Sequence, residues 1–295
     1  MGRDLYAAYP EARRTFEEAD EALGFALSTL CFEGPEEVLT DTLNAQPAIF
    51  TVSIACLRAL EGRLPWQPAY VAGHSSGEYA ALVAADALDF ADGIRLIRER
   101  GRVMQEAGEK NPGGMAAIMG IADEVLDDIC RESSQETGQV VQVANYNSPG
   151  QVVISGHKQA LQMAIARARE RGAKRVIELA VTVASHSPLM AEAARALALA
   201  VERTPIHAAR VPIIGNVSAR PIRRAEEIRA ELVAQLTSPV RWVESVHHLA
   251  RQGVKRFVEF GPKNVLTGLI RRTEEGVELV NVGDAASVAA LRGDG

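Results

Sequence analysis

A short run, GHSSGE at residues 73–78, combines the residue types that serine chemistry needs. Ser75 stands between small residues in the pattern G-x-S-x-G. The apolar run Tyr70–Ala72 precedes it and an alanine-rich segment follows, which predicts a strand, a tight turn and a helix. Such a turn lifts the Ser75 hydroxyl to a sheet edge, where the backbone N–H of Ser76 and the helix N-terminus can stabilise an oxyanion. We therefore predict a nucleophile at Ser75; the alternative is a plain turn of small residues.

A serine nucleophile needs a base, and one of the six histidines lies in a suitable setting. His186 follows a predicted strand and directly precedes a helix predicted to begin at Pro188. The positive end of that helix disfavours imidazolium and keeps the ring neutral, as a base requires. A helix-capping role is the alternative. His74 flanks the turn and is expected to point elsewhere. The remaining histidines, in polar or helical settings, are His157, His207, His247 and His248.

A candidate substrate-binding group lies on an amphipathic helix predicted over residues 90–107. At about 100° per residue, Arg100 falls in the middle of the apolar arc. The arginines Arg95, Arg98 and Arg102 lie on the opposite side. A guanidinium that points inward needs an anionic partner, because an unpaired buried charge is costly. That partner is either a core carboxylate or the carboxylate of a substrate, which the planar fork can hold at two points.

The elements that must position these groups alternate between helices and short apolar strands. Residues 113–184 follow the order βαββαβ, which predicts an inserted ferredoxin-like subdomain. Residues 1–112 and 185–295 predict a large, discontinuous catalytic domain of α/β class, with three layers like those of α/β-hydrolases and a mostly parallel sheet. Pro47 is predicted to begin a helix, because proline suits a first helical turn.

Composition excludes several functional classes. The chain has 295 residues and a net charge of -6, which argues against a nucleic-acid partner. Its three widely spaced cysteines fit neither a disulfide framework nor a paired metal site. No apolar run suggests a membrane span, and the N-terminus lacks the pattern of a signal peptide. We therefore expect a cytoplasmic protein with no metal, no membrane partner and no nucleic acid.

Taken together, these residues resemble the malonyl-CoA:acyl carrier protein transacylases of fatty-acid synthesis and the related acyltransferase domains of polyketide synthases. The resemblance covers nearly the whole chain. It rests on Gln46-Pro47-Ala48, GHSSGEYAAL at 73–82, Arg100-Gly101-Arg102-Val103-Met104-Gln105, GGMAAIMG at 113–120, NYNSPGQVVISG at 145–156, Ser185-His186-Ser187-Pro188-Leu189-Met190, Asn216-Val217 and EFGPKNVLTGLI at 259–270.

The resemblance implies that Ser75 is the nucleophile, that His186 is the base and that Arg100 holds the free carboxylate of a malonyl group. It implies that the backbone carbonyl of Gln235 orients His186. It also implies a ping-pong transfer from malonyl-CoA to the phosphopantetheine thiol of acyl carrier protein, with no tightly bound cofactor. Further pocket residues implied by the resemblance are Gln46, Asn145 and Asn147.

One part of the sequence departs from the family. Members begin with a strand and a glycine- and glutamine-rich loop, and a glutamine N-H from that loop completes the oxyanion hole. This sequence opens at Met1-Gly2-Arg3-Asp4-Leu5-Tyr6, which resembles the segment just after that loop. We therefore expect the first sheet strand and one oxyanion donor to be missing from it. Removal of one such donor costs about a hundred- to a thousandfold in rate.

Two other functions remain open at this point. A serine hydrolase, such as a thioesterase or a patatin-like lipase, shares the G-x-S-x-G pattern, but Arg100 has no role in neutral ester cleavage. A non-catalytic module that docks carrier protein is the second alternative. An acidic carrier protein would dock on basic residues near the pocket mouth. The candidates are Arg223, Arg224, Lys263, Arg271 and Arg272.

Overall fold

The protein is of mixed α/β type in the computed structural model, which describes residues 1–65 and 67–291. Residues 292–295 of the predicted large domain lie outside the described part. The helices are α1 (Arg3–Ala8), α2 (Pro10–Leu23), α3 (Leu27–Glu33), α4 (Glu36–Leu39), α5 (Thr42–Glu61), α6 (Gly77–Ala84), α7 (Phe90–Lys110), α8 (Asp123–Thr137), α9 (Lys158–Glu170), α10 (Ala191–Arg203), α11 (Ala225–Ala234), α12 (Trp242–Arg251), α13 (Val265–Thr273) and α14 (Ala285–Ala290). The strands are β1 (Val71–Ala72), β2 (Gly113–Met119), β3 (Val141–Ser148), β4 (Gln151–His157), β5 (Arg175–Glu178), β6 (Ile213–Ile214), β7 (Pro221–Ile222), β8 (Val240–Arg241), β9 (Arg256–Phe260) and β10 (Glu278–Val282).

Helix α5 forms much of the core and begins earlier than the sequence predicted. Asp41 caps it by accepting a hydrogen bond from the N–H of Leu43 at 2.8 Å, so Pro47 lies inside the helix. The predicted start at Pro47 is therefore wrong, because the side-chain cap upstream sets the first turn. By length and composition α5 could cross a membrane, although no such span was predicted, but 72% of its apolar stretch is buried inside the protein. That burial is typical of a core helix.

Strands β2 to β5 and helices α8 and α9 form one layered unit. The sheet order is β5-β2-β4-β3, and each of these neighbours pairs antiparallel. The helices cover one face, where Ile118 and Ile154 pack with Leu126 and Ile165 in one core cluster. β8 adds to the far edge by pairing parallel with β3, although it belongs to the segment predicted for the other domain.

The remaining strands form two short sheets, where the sequence predicted one. β1 pairs parallel with β6, which pairs antiparallel with β7, and β9 pairs parallel with β10. Within the described parts of the chain, neither β1 nor β9 has a partner on its other edge. Helices α5 and α7 pack beside this region and bury the largest apolar cluster, which includes Phe50, Ile94 and Ile97.

A cavity of about 600 Å³ separates the two short sheets. Residues 69–73 line it on one side and residues 256–260 on the other. Helices α5, α6 and α12 close it with mainly small or apolar side chains. Ser75, Arg100 and His186 are not among its lining residues. The cavity therefore adjoins the G-x-S-x-G turn without containing the predicted chemistry.

Candidate active site

The segment that follows β1 makes the sharp turn that the sequence predicted. Ser75 has a φ of 51°, in the left-handed region that non-glycine residues seldom adopt. A Cβ at position 73 would lie 2.0 Å from the backbone oxygen of Gly77, so only glycine fits there. Ser76 directly precedes helix α6 without a side-chain capping bond, and its backbone N–H has no hydrogen-bond partner in the described part of the chain. The turn thus presents a hydroxyl beside a free N–H.

His186 lies next to Ser75 although the two residues are 111 positions apart in the sequence. Its Nε2 lies 2.8 Å from Ser75 Oγ, and its Nδ1 lies 2.7 Å from the backbone oxygen of Gln235. Because a carbonyl oxygen only accepts, Nδ1 carries the proton and the neutral ring offers Nε2 as acceptor for the Ser75 hydroxyl. This arrangement has the geometry of a nucleophile and an oriented base, with a carbonyl in place of a carboxylate.

The pKa of His186 lies well below its ordinary value of 6.5, at about 3. Burial is the main cause, and the positive charge of Arg100 is the second. The sequence predicted a different cause, the positive end of a helix beginning at Pro188. In the structure, Pro188–Met190 form a single 3-10 turn and α10 begins at Ala191. The ring is kept neutral mainly because it is excluded from water.

Arg100 lies at the same point, on the buried side of α7. It is 1% exposed, and its Nη2 donates to Ser75 Oγ and to Gln235 Oε1, each at 3.0 Å. Its Nη1 donates to Gln46 Oε1 at 2.6 Å, and its Nε has no partner in the chain as described. No carboxylate lies within 4.0 Å of Arg100 among the described residues. The direct ion pair considered from the sequence is therefore absent from that part of the chain, and the carboxylate of Glu78 acts on the guanidinium only without contact.

The family of this chain is shown by a match over nearly its whole length. The model of the acyl transferase domain family matches residues 1–294. The chain belongs to the acyl transferase family. Within it, the chain is 43% identical over 290 residues to the malonyl CoA-acyl carrier protein transacylase of Escherichia coli, a match that covers 98% of this chain and 93% of that protein.

Solved acyl transferase structures have the same fold. An acyl carrier protein S-malonyltransferase from Vibrio cholerae matches with a TM-score of 0.96 and 42% identity, covering 99% of this chain and 95% of that one. A malonyl-transacylase in complex with the acyl-carrier protein of a type II polyketide synthase matches with a TM-score of 0.94 and 42% identity, covering 98% of this chain and 93% of that one.

The three further pocket residues that the resemblance implied differ in how close they lie to the catalytic groups of this acyl transferase. Gln46 contacts Arg100 directly. Asn147 Oδ1 lies 2.8 Å from His74 Nε2, so both residues contact each other instead of Ser75. Asn145 is buried in β3, and no side-chain hydrogen bond links it to Ser75, Arg100 or His186. The structure therefore brings Gln46 into contact with the central group and leaves the two asparagines outside it.

No role was predicted from the sequence for two side chains that hold this acyl transferase site together, although Asn216 belongs to the Asn216-Val217 motif of the resemblance. Asn216 Oδ1 accepts from the N–H of Ser75 at 2.6 Å, and its Nδ2 donates to the Gly73 oxygen at 2.7 Å. Gln142 Nε2, from β3, donates to the backbone oxygen of His186 at 2.8 Å. Their signal is weak, because each is a single polar residue at or near a strand. Only the position of Asn216, directly after an apolar pair and a glycine, could have suggested a role.

Proposed function

We propose that this chain transfers a malonyl group from malonyl-CoA to the phosphopantetheine thiol of acyl carrier protein, in fatty-acid synthesis. One observation carries the proposal: Ser75 Oγ lies within hydrogen-bond distance of both a neutral base and a guanidinium that no carboxylate of the described residues contacts. The base activates the hydroxyl, and the guanidinium selects an acyl group that ends in a carboxylate. The relatives named as malonyl transacylases support this substrate and this partner.

In the first half-reaction, Ser75 Oγ attacks the thioester carbonyl of malonyl-CoA while His186 Nε2 takes the hydroxyl proton. The oxyanion that forms lies beside the helix N-terminus, and we assign the Ser76 N–H as its donor. Collapse of the tetrahedral intermediate breaks the carbon–sulfur bond, and His186 returns its proton to the leaving thiolate. The products are free CoA and a malonyl ester on Ser75.

In the second half-reaction, the phosphopantetheine thiol of acyl carrier protein attacks the ester. His186 Nε2 now takes the thiol proton. The tetrahedral intermediate then collapses, the bond between Ser75 Oγ and the acyl carbon breaks, and His186 returns the proton to Ser75 Oγ. The products are malonyl-carrier protein and free Ser75. The backbone oxygen of Gln235 holds Nδ1–H throughout, so one tautomer serves both halves. In its described part the chain supplies no other base at hydrogen-bond distance from Ser75 Oγ, since the other neighbour, Arg100, is a donor.

Arg100 gives the transfer its selectivity. The free carboxylate of a malonyl ester lies one methylene beyond the ester carbonyl, within reach of a guanidinium that already contacts Ser75 Oγ. An acetyl group would leave the buried charge unpaired, at a cost of a few kcal/mol. Pairing with the malonyl carboxylate also offsets the charge that depresses the pKa of His186, which makes the imidazole a stronger base when the correct substrate is bound.

Further expectations belong to the same proposal, and two of them concern the fold. The antiparallel order β5-β2-β4-β3 with two helices on one face supports a ferredoxin-like subdomain over residues 113–184. The parallel pairs β1–β6 and β9–β10 support hydrolase-like layers in the segments 1–112 and 185–295. We infer a cytoplasmic enzyme that uses malonyl-CoA without a tightly bound cofactor. Basic residues at the docking surface would be the exposed Arg223, Arg224, Lys263, Arg271 and Arg272.

The test mixes the protein with malonyl-CoA and acyl carrier protein and follows both possible products by mass spectrometry. The proposal predicts malonyl-carrier protein as the main product. Release of free malonate without malonyl-carrier protein would favour a serine hydrolase instead. Absence of both products, with carrier protein still bound, would favour the docking module.

A further inference from the structure

Glu78, the last residue of the GHSSGE run, has no part in the transfer chemistry above, yet it is 1% exposed directly behind the nucleophile. It lies in the first turn of α6. Its Oε1 accepts from the backbone N–H of Asn216 at 3.1 Å, and its Oε2 accepts from the side-chain amide of Gln235. Burial, and after it the neighbouring Glu231, raise the pKa of the Glu78 carboxyl. Both of its oxygens nevertheless accept from N–H donors, which is the arrangement of an ionised carboxylate.

The first of these contacts reaches the nucleophile. Asn216 holds the turn from both ends, through the N–H of Ser75 and the oxygen of Gly73. Ser75 has a positive φ, a conformation that persists only where the surroundings enforce it. Because Glu78 accepts the Asn216 backbone N–H, it anchors the residue that enforces this turn.

The second contact reaches the substrate-binding group. The Nε2 of Gln235 donates to Glu78 and to the Ser75 oxygen, which leaves Oε1 to accept from Arg100. An amide has the same shape when its nitrogen and oxygen exchange places, so its partners decide which atom faces the guanidinium. In the reversed orientation two donors would face each other. Two acceptors exclude that orientation, the carboxylate of Glu78 and the backbone oxygen of Ser75, because in it both would face the amide oxygen.

The amide also keeps the two charges apart. Glu78 attracts Arg100 through Gln235 but makes no ion pair with it, so the guanidinium stays available for a substrate anion. We propose that Glu78 is a positioning residue that sets malonyl selectivity, by fixing the Gln235 amide so that Arg100 is held but not neutralised. This inference rests on the proposed malonyl transfer.

The experiment compares Glu78→Gln with the unaltered protein, using malonyl-CoA and acetyl-CoA as alternative donors to carrier protein. A glutamine at 78 can pair with either orientation of the Gln235 amide, so only the Ser75 oxygen still fixes that orientation and the acceptor for Arg100 is held less firmly. We expect kcat/KM for malonyl-CoA to fall by about ten- to a hundredfold, while acetyl transfer changes by less than about threefold. The ratio of the two is the quantity that a merely structural role would leave unchanged.

Glu231→Gln is the matched control. Glu231 is a second buried carboxyl group in the same neighbourhood, but it accepts from the backbone N–H of Val217 and does not contact Gln235. We expect this variant to keep the malonyl to acetyl ratio. An equal loss of ratio in Glu231→Gln would mean that any buried charge here has the same effect, and it would overturn the inference.

The ratio of malonyl to acetyl transfer decides the positioning role. If Glu78→Gln leaves that ratio unchanged, with or without a parallel loss of both activities, the positioning role is overturned. If Glu78→Gln does not fold, Gln235→Leu tests the same contact while keeping the backbone oxygen for His186, and an unchanged ratio there overturns the inference equally. Failure of the unaltered protein to transfer malonyl would instead overturn the proposed function.

Discussion

The two sides of the turn at Ser75 differ in the side chains that surround them. On the catalytic side, Ser75, Arg100, His186 and Gln235 are joined by hydrogen bonds of 2.7–3.0 Å. On the cavity side, a space of about 600 Å³ is lined mainly by small and apolar side chains. The strands β1 and β9 that border it each pair along one edge only in the described part of the chain.

Because of this difference, we expect substitutions on the two sides to have different effects. Polar atoms on the catalytic side have defined partners, so removal of one group leaves another buried and unpaired or removes a reacting atom. Side chains on the cavity side border empty space, so they affect the free energy of unfolding through apolar burial. Catalytic-side changes should therefore alter the reaction, and cavity-side changes should alter stability.

His186→Gln should give a large loss on the catalytic side. The variant removes the only described acceptor placed to take the Ser75 proton, so malonyl transfer should fall by about a thousandfold. Steady-state transfer to carrier protein measures the loss. His207→Gln, at an exposed position, is the control and should retain full activity. A loss of less than tenfold in His186→Gln would contradict the assigned base.

Arg100→Ala should separate the two donors. Malonyl transfer should fall by roughly a hundredfold, because the substrate carboxylate loses its partner, while acetyl transfer survives or rises. Arg95→Ala, on the exposed face of the same helix, should change neither rate. Equal loss with both donors would mean that Arg100 has a structural role.

The pKa of His186 predicts an unusual pH dependence. Because burial and Arg100 lower that pKa to about 3, the imidazole of the free enzyme stays neutral from pH 8 down to well below pH 6.5. We expect kcat/KM to stay level across this range. The folded state binds fewer protons here than the unfolded state, so the His186 contribution to stability is lost as the pH falls from 6.5 towards 3. A fall in kcat/KM centred near pH 6.5 would contradict the low pKa.

Ala84→Leu should act on the cavity side alone. Ala84 lines the cavity, and the larger side chain should stabilise the fold by about 1–2 kcal/mol through added apolar burial. The midpoint temperature of thermal unfolding should rise by about 2–4 °C, and binding of an apolar dye should fall. Ala230→Leu, at an exposed helical position, is the control. A drop in malonyl transfer without a change in unfolding temperature would contradict the separation of the two sides.

Local signals allowed most of the catalytic side to be predicted from the sequence. The turn at Ser75 is encoded by adjacent residues, and the inward position of Arg100 follows from helical periodicity within α7. The role of Gln235 came only through resemblance to a family, because no periodicity marks a backbone carbonyl. The contact between His186 and Ser75 spans 111 residues and likewise could not be read from spacing.

The rest depends on long-range pairing that a single sequence does not encode visibly. The split into two short sheets, and the addition of β8 to the other sheet, depend on which strand edges meet in three dimensions. Glu78 was noticed as part of the GHSSGE run, but its contacts with Asn216 and Gln235 lie 138 and 157 residues away. The start of α5 was predicted wrongly because Pro47 suggested a first helical turn, whereas the side chain of Asp41 caps the helix upstream.

The most direct test of the central claim locates the acyl group. After exposure to malonyl-CoA alone, the intact protein should gain one malonyl group, and peptide mapping should find it on the peptide that contains Ser75. Ser75→Ala should gain none. A malonyl group on another residue, or full transfer to carrier protein by Ser75→Ala, would contradict the account.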